Sequence, residues 1–246
     1  PGRSGRPNKE WLDGYVQYWG GSESIREYTL ARAKAKHEII LFLEHVPGVY
    51  AWWVGKNPNG FDAITSQVMD TIAFLRANGV IHFDAHWWNI LTDGERAYVT
   101  DFGLVVDKRF DLSDDERSFF TRHRDYDAGI FLSGFGSTLT DGYKGLSERK
   151  KAHLLRVFGV RDDAMPVELL ASPLDNLDAI HADGTMKLAD PFVQTVHKYR
   201  DVIELMFAWL VEISGGDSKD VRYSHTKLKR MLAEAEQTTP TTAAQP

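Results

Sequence analysis

Residues 61–103 constrain this chain more than any other stretch. Ile64, Val68, Ile72 and Leu75 recur at intervals of four, four and three, so residues 61–78 predict an amphipathic helix with one apolar face. Asn78-Gly79 closes it with a pair suited to a helix C-terminus. Two short strands follow, residues 90–92 and 97–100, joined across Asp93-Gly94, a pair that tolerates the positive φ angles of a tight hairpin. Oxygen-bearing side chains punctuate the run: Asp84 past the helix, Asn89 five residues on, and Asp101 seventeen residues after Asp84. A loop and a hairpin leaving side by side can gather these three around one point. The expected fold class is therefore α/β (α+β).

Composition narrows the function classes. A chain of 246 residues with 43% hydrophobic and 26% charged residues suits one large domain or two small ones. The formal charge of -6 argues against a general nucleic-acid binder, which concentrates basic surface. A nucleotide ligand remains compatible, because a metal ion and a few donors can hold a triphosphate. Cysteine is absent, which excludes disulfides, thiolate zinc sites and cysteine nucleophiles. The most apolar run, residues 39–54, is broken by Glu44, His45 and Pro47, short of the roughly 18 residues of a membrane helix. We expect no membrane insertion, no nucleic-acid partner and a cytoplasmic location. The opening Pro-Gly-Arg-Ser-Gly-Arg-Pro has neither Met nor a signal-peptide core, and reads as a chain that has lost residues upstream.

Along the chain, residues 1–10 read as a flexible lead-in and residues 22–36 as a helix. The apolar block 38–46, ended by Pro47-Gly48, predicts a buried strand and a turn. Residues 107–124 are polar and read as a loop, and 126–135 open another helix. Gly134-Phe135-Gly136-Ser137 follows no strand and reads as a helix-end turn rather than a phosphate loop. Asp190-Pro191 is a strong helix start, with Val196, Tyr199, Ile203, Met206, Leu210 and Ile213 as its buried face and Gly215-Gly216 as its end. A last helix, 224–236, precedes a tail, 238–246, expected to be disordered.

Phosphoryl transfer asks a protein for positioning and charge neutralisation. One carboxylate orients or accepts the attacking hydroxyl proton. Another carboxylate and an amide oxygen can hold Mg²⁺, a hard ion that prefers oxygen. The string helix, Gly79-Val80-Ile81-His82-Phe83-Asp84, Asn89-Ile90-Leu91, hairpin, Asp101-Phe102-Gly103 resembles the catalytic core of the protein kinase superfamily. The resemblance implies a protein kinase-like fold, with a truncated small lobe over residues 1–47 and a mainly helical large lobe over 48–237. It implies ATP and Mg²⁺ as cofactors, Asp84 as catalytic base, and Asn89 and Asp101 as metal ligands. His82 would brace the loop, Phe102 would pack beneath the metal, Gly103 completes the motif, and Asp127 (or Asp125) resembles the buried aspartate that anchors such a loop. Glu44, His45 and Val46 resemble the hinge whose backbone binds adenine, Leu91 and Thr100 fall on the nucleotide side, and Glu23 or Glu27 could pair with a nucleotide-binding lysine.

The pattern also departs from that family. Phe83 replaces the arginine of regulated protein kinases, which removes a charge partner for activation-loop phosphorylation. Asp84-x-His86-x-x-Asn89 is similar to aminoglycoside and choline kinases, with His86 near the transferred phosphate. Trp87-Trp88 is read as packing. No Ala-Pro-Glu follows Gly103, the glycine-rich loop and strand lysine are missing ahead of residue 22, and Lys34 and Lys36 read as solvated charges. The implied activity is phosphorylation of a Ser/Thr hydroxyl in a protein. A small-molecule kinase and a catalytically silent binding scaffold stand as the alternatives.

Overall fold

The computed structural model describes residues 8–37, 40–57, 60–161, 165–215 and 221–237. The chain divides into two units, Pro1–His45 with Glu212–Val221, and Val46–Val211 with Arg222–Pro246.

In the first unit, helix α1 (Lys9–Tyr18) starts at Asn8, whose side chain accepts from the Glu10 N–H at 2.8 Å. The expected flexible lead-in is therefore already helical by Lys9, and residues 1–7 lie outside the described residues. Gly20 and Gly21, both with φ near +70°, reverse the chain into α2 (Glu23–Arg32). An Arg26–Asp13 ion pair at 2.7 Å ties the two helices. The strand expected over 38–46 does not form: residues 38 and 39 lie outside the description, and 40–47 have no regular structure. Ile40, Leu41, Phe42 and Leu43 are exposed. An apolar run becomes a strand only where a neighbour supplies its ladder, and none pairs with it among the described residues. Glu44 and His45 end this unit, both exposed.

The second unit begins with β1 (Gly48–Val49), α3 (Tyr50–Trp53) and α4 (Phe61–Ala77). As the periodicity predicts, Ile64, Val68 and Ile72 of α4 are buried. Gly79, at φ +75°, turns the chain into β2 (Val80–Ile81). Strands β3 (Ile90–Thr92) and β4 (Ala97–Val99) form the expected hairpin, Ile90 opposite Val99 and Thr92 opposite Ala97. β1 adds to its free side, Val49 opposite Leu91, giving a sheet in the order β1-β3-β4. β5 (Val106–Asp107) pairs antiparallel with β2, Ile81 opposite Val106.

Residues 107–124 are not one loop. They complete β5 and then form α5 (Asp114–Arg122), started by a capping box in which Ser113 and Glu116 bond reciprocally. The signal was Ser113-Asp114-Asp115-Glu116, legible despite the polar surroundings. The next helix, α6 (Tyr126–Lys144), runs well beyond residue 135. Gly134-Phe135-Gly136-Ser137 lies in its interior, so it is neither a phosphate loop nor a helix end. These glycines serve packing: a Cβ on Gly136 would sit 3.0 Å from Phe207.

Helices α7 (Glu148–Phe158), α8 (Pro166–Asp175), α9 (Leu177–Asp183), α10 (Asp190–Gly215) and α11 (His225–Gln237) complete the description. α10 begins at Asp190 as predicted and kinks at Tyr199. The core of the second unit gathers α4, α6, α8 and α10 around Phe61, Phe131, Phe135, Leu170 and Val196. The architecture is mixed α/β, mostly helical with two small sheets. Among the described residues no helix is long and apolar enough to cross a membrane.

Candidate active site

The loop between β2 and β3 is held by α6 at two points one turn apart. Asp127, in the first turn, accepts the backbone N–H of His82 at 2.7 Å and of Phe83 at 2.9 Å. Trp87 is buried and donates from Nε1 to the Phe131 carbonyl at 2.8 Å. Gly134 makes room for that indole, since a Cβ there would lie 2.5 Å from Trp87 Cε2. Burial pushes the Asp127 carboxyl up, and the two backbone donors partly offset this. Of the two aspartates considered from sequence, Asp125 points elsewhere, pairing with Arg76 of α4 at 2.6 Å.

Phe83 takes a left-handed backbone, φ +62°, costly for a residue with a bulky side chain. Its ring lies against Phe119, Tyr126 and His123, with centroids at 5.5, 5.5 and 5.8 Å. Phe83 is thus a wedge between the loop, α5 and α6. His123 and His225 of α11 meet edge to face at 4.3 Å, and burial pushes both imidazoles below the usual range.

Hydrogen bonds link Asp84 to Asn89, and Asn89 to the residue before Asp101. Asn89 Nδ2 donates to Asp84 Oδ2 at 2.8 Å and to the Asp84 carbonyl at 2.9 Å. The Asn89 carbonyl accepts the Thr100 N–H at 2.9 Å and the Thr100 hydroxyl at 3.1 Å. That closes the open end of the hairpin one residue before Asp101. His82 is fully buried; its Nε2 donates to the Thr100 carbonyl at 2.9 Å and its Nδ1 accepts the Asp84 N–H at 3.2 Å. One imidazole therefore bridges the loop to the strand that delivers Asp101.

Asp101 also has a left-handed backbone, φ +58°, and its side chain accepts the Gly103 N–H at 3.3 Å. It is exposed, as is Gly103. Phe102 is half exposed and its ring packs against His82, 4.6 Å between centroids. His86 Nε2 lies 3.3 Å from Asp84 Oδ1, while its Nδ1 is buried without a partner. Leu91 and Thr100 are half buried on the hairpin, and Val46 opens the segment that runs into β1 beside Leu91. Glu44 and His45 belong to the first unit. Glu23 bonds to Arg26 on its own helix.

Among the described residues, no group of three or more His, Asp and Glu side chains is arranged to hold a metal. The donor set at this site is smaller: an Asn amide oxygen and an Asp carboxylate. Because Asn89 spends its Nδ2 on Asp84, its Oδ1 is turned away with no donor, and Asp101 keeps most of its acceptor capacity. Two protein oxygens fit Mg²⁺, which commonly takes one or two protein ligands and completes its shell with water and phosphate.

Beside Asp84 opens a cavity of about 380 Å³ that includes Trp88, Tyr126, Ser137, Asp141 and Trp209 in its lining. Among the described residues neither lysine nor arginine lines it. Ser133 and Thr138, also at its wall, donate their hydroxyls to the carbonyls of Ile130 and Gly134, so what they offer the cavity is acceptor oxygen. The sequence reading missed this wall, although Ser133, Ser137 and Asp141 repeat every four residues as a polar stripe on an otherwise apolar helix. Trp88, read as packing, is exposed, and its ring contact among the described residues is with Trp52, edge-on at 5.0 Å.

No family model matches this chain, and no solved structure matches it. A stretch of 89 residues is 33% identical to a Methanosarcina mazei protein described as a probable bifunctional tRNA threonylcarbamoyladenosine biosynthesis protein, covering 32% of this chain and 16% of that relative. A protein of the same description from Methanosarcina acetivorans is 31% identical over 102 residues, covering 36% of this chain and 18% of its own length. The chain thus spans less than a fifth of the curated relatives it matches. These findings overturn the resemblance to Ser/Thr protein kinases and to aminoglycoside and choline kinases. The similarity found is to part of a tRNA-modification protein, whereas the resemblance rested on a handful of short motif positions. The relatives' description also names tRNA, a partner class that the acidic net charge argues against.

Proposed function

We propose that residues 82–103 form a phosphotransfer site that moves a phosphoryl group from a nucleoside triphosphate to a hydroxyl. The observation that carries this reading is the hydrogen-bond chain Asp84–Asn89–Thr100, which presents one carboxylate as a base and, beside it, two oxygen donors suited to Mg²⁺. Asp84 accepts the hydroxyl proton as the acceptor oxygen bonds to the terminal phosphorus and the bridging oxygen leaves with the nucleoside diphosphate. Asn89 fixes the Asp84 rotamer, so the base is aligned before substrate arrives. His82 holds the loop to the strand that carries Asp101, and keeps base and metal donors in register. Mg²⁺, when bound at Asn89 and Asp101, would neutralise the phosphate charge. Val46, Leu91 and Thr100 form the nucleotide side of the site within this unit.

The acceptor is the open choice between a Ser/Thr side chain and a small alcohol. The cavity beside Asp84 favours the small alcohol, because it is concave, aromatic-walled and at the lower end of the size range for small-ligand pockets. Its acceptor-rich lining without a cation disfavours phosphorylated acceptors. The relatives are described as whole proteins of tRNA threonylcarbamoyladenosine biosynthesis, which supports including a role of this chain in RNA chemistry in the same proposal.

Transfer from labelled ATP to a panel of small alcohols, nucleosides and a protein mixture tests the reading. Asp84→Ala should abolish transfer and leave Mg²⁺-dependent nucleotide binding intact, and Asp101→Ala should lose that binding. Full transfer by the Asp84 variant, or metal-independent nucleotide binding, would sink the assignment.

A further inference from the structure

A second cleft lies on the helical part of the second unit, on residues with no role in the phosphotransfer site. It holds about 820 Å³, and its lining includes Arg149, Lys150, His153 and Arg156 of α7, Asp183 at the end of α9 and Thr185 just beyond it. Arg149, His153 and Arg156 follow at four and three, which stacks them on one helix face over two turns. Asp183 is the single acid of the lining, and it is spent internally. The Thr185 hydroxyl and His153 Nε2, the latter at 2.9 Å, both bond to it and hold its carboxyl below the usual range. Lys150 gives one N–H to the Thr185 carbonyl at 3.2 Å and keeps two. Arg156 touches only the His153 ring, at 3.5 Å, and Arg149 has no partner among the described residues.

Three permanent cations thus face one acid that is already hydrogen-bonded within the protein, on a chain whose overall charge is -6. Guanidinium forks match phosphate oxygens two at a time. Seven residues of helix separate Arg149 from Arg156 by about 10 Å along the axis, too far for a single phosphate to engage both head-on and suited to successive phosphates on one strand. Among the described residues the cleft has no Phe, Tyr or Trp in its lining, and its one ring, His153, is held by Asp183 and Arg156, so bases have no free stacking platform and a protein partner has no anchor pocket. We infer that the α7 cleft binds the phosphodiester backbone of a nucleic acid, through charge and without reading base sequence. The inference stands independently of the phosphotransfer reading.

The test is fluorescence anisotropy of a labelled RNA hairpin, and of the DNA hairpin of the same sequence, across a salt titration. With about three phosphates neutralised, log K should fall with log salt at a slope of about -2 to -3. Arg149→Glu with Arg156→Glu should weaken binding at least tenfold at low salt and flatten the slope by about two; Arg149→Gln with Arg156→Gln gives the same direction if charge reversal unfolds the chain. Asp84→Ala should bind as the parent does. Equal binding of both hairpins fits contact with the backbone alone, and tighter RNA binding adds contact to the 2′-hydroxyl. Unchanged binding by the arginine variants, a slope near zero, or displacement by polyglutamate as effective as by unlabelled RNA would overturn the inference.

Discussion

Gly134→Ala sets two well-measured effects against each other. Inside a helix, Ala is favoured over Gly by about 1 kcal/mol, so on helix propensity alone the change should stabilise α6. The Trp87 indole reverses that sign. The new Cβ would lie 2.5 Å from Cε2 and 2.7 Å from Cδ1, and the ring has no room to retreat. It is wedged edge-on against Tyr50 at 5.0 Å and Phe135 at 5.1 Å, and tied to the Phe131 carbonyl. Overpacking a core of this kind costs about 1–3 kcal/mol, and losing the indole hydrogen bond adds about 1 kcal/mol. The net expectation is a loss of about 2 kcal/mol, or a Tm lower by about 4–8 °C for a chain of this length. Because Trp87 begins the 3-10 turn that contains Asn89, Mg²⁺-dependent nucleotide binding should weaken with it. Thermal denaturation of Gly134→Ala, Trp87→Phe and the double variant measures the coupling. In the Trp87→Phe background the smaller ring leaves space, and the alanine should become neutral or stabilising. A higher Tm for Gly134→Ala alone would refute the claim that the glycine exists to admit the indole.

Other outcomes follow from the same contacts. Asp127→Ala strands the His82 and Phe83 amides without an acceptor, and should cost about 3 kcal/mol in urea denaturation together with the loss of transfer; a cost under about 1 kcal/mol would show that Asp127 is not the anchor. His123 and His225 have imidazoles that burial holds below their unfolded value of about 6.5. Their neutral packing therefore supports the fold above that pH, and the support fades as pH falls below it, when the unfolded chain takes up protons first. His225→Phe should shrink the drop in Tm between about pH 7.5 and 5.5; an unchanged drop would remove the pair as its source.

The site was more legible than the frame around it, for reasons visible in single residues. Asp84, Asn89 and Asp101 are separated by short, turn-rich segments, so local rules nearly suffice to bring them together. The helix 61–78 and the Asp93-Gly94 hairpin were legible because their periodicity and turn chemistry agree with their burial. The strand expected over 38–46 failed because apolar residues specify burial only where a partner exists. α5 was missed because its surface is polar, although Ser113 and Glu116 announced its first turn. The cavity wall on α6 was missed for the opposite reason: Ser137 and Asp141 are scattered polar positions until a helix of nineteen residues stacks them. Trp209 joins them from α10, a contact that no local pattern encodes. The kinase resemblance read the spacing of a few residues as kinship, and similarity over whole segments points elsewhere.

Phe83 and Asp101, the two non-glycine residues with positive φ among those described, bracket the site and have a consequence for how it comes into being. Neither conformation is one that an unfolded chain visits often, and each costs on the order of 1–3 kcal/mol wherever it is held. The loop therefore has no tendency to form before α5 and α6 arrive to cover Phe83 and to receive its amide. Asp84, Asn89 and Asp101 should assemble late in folding, and separate early in partial unfolding. The His82 and Phe83 amides would then exchange their hydrogens with the N-terminal turn of α6 as one cooperative unit. The lifetime of the assembled loop would follow how firmly that turn stays docked.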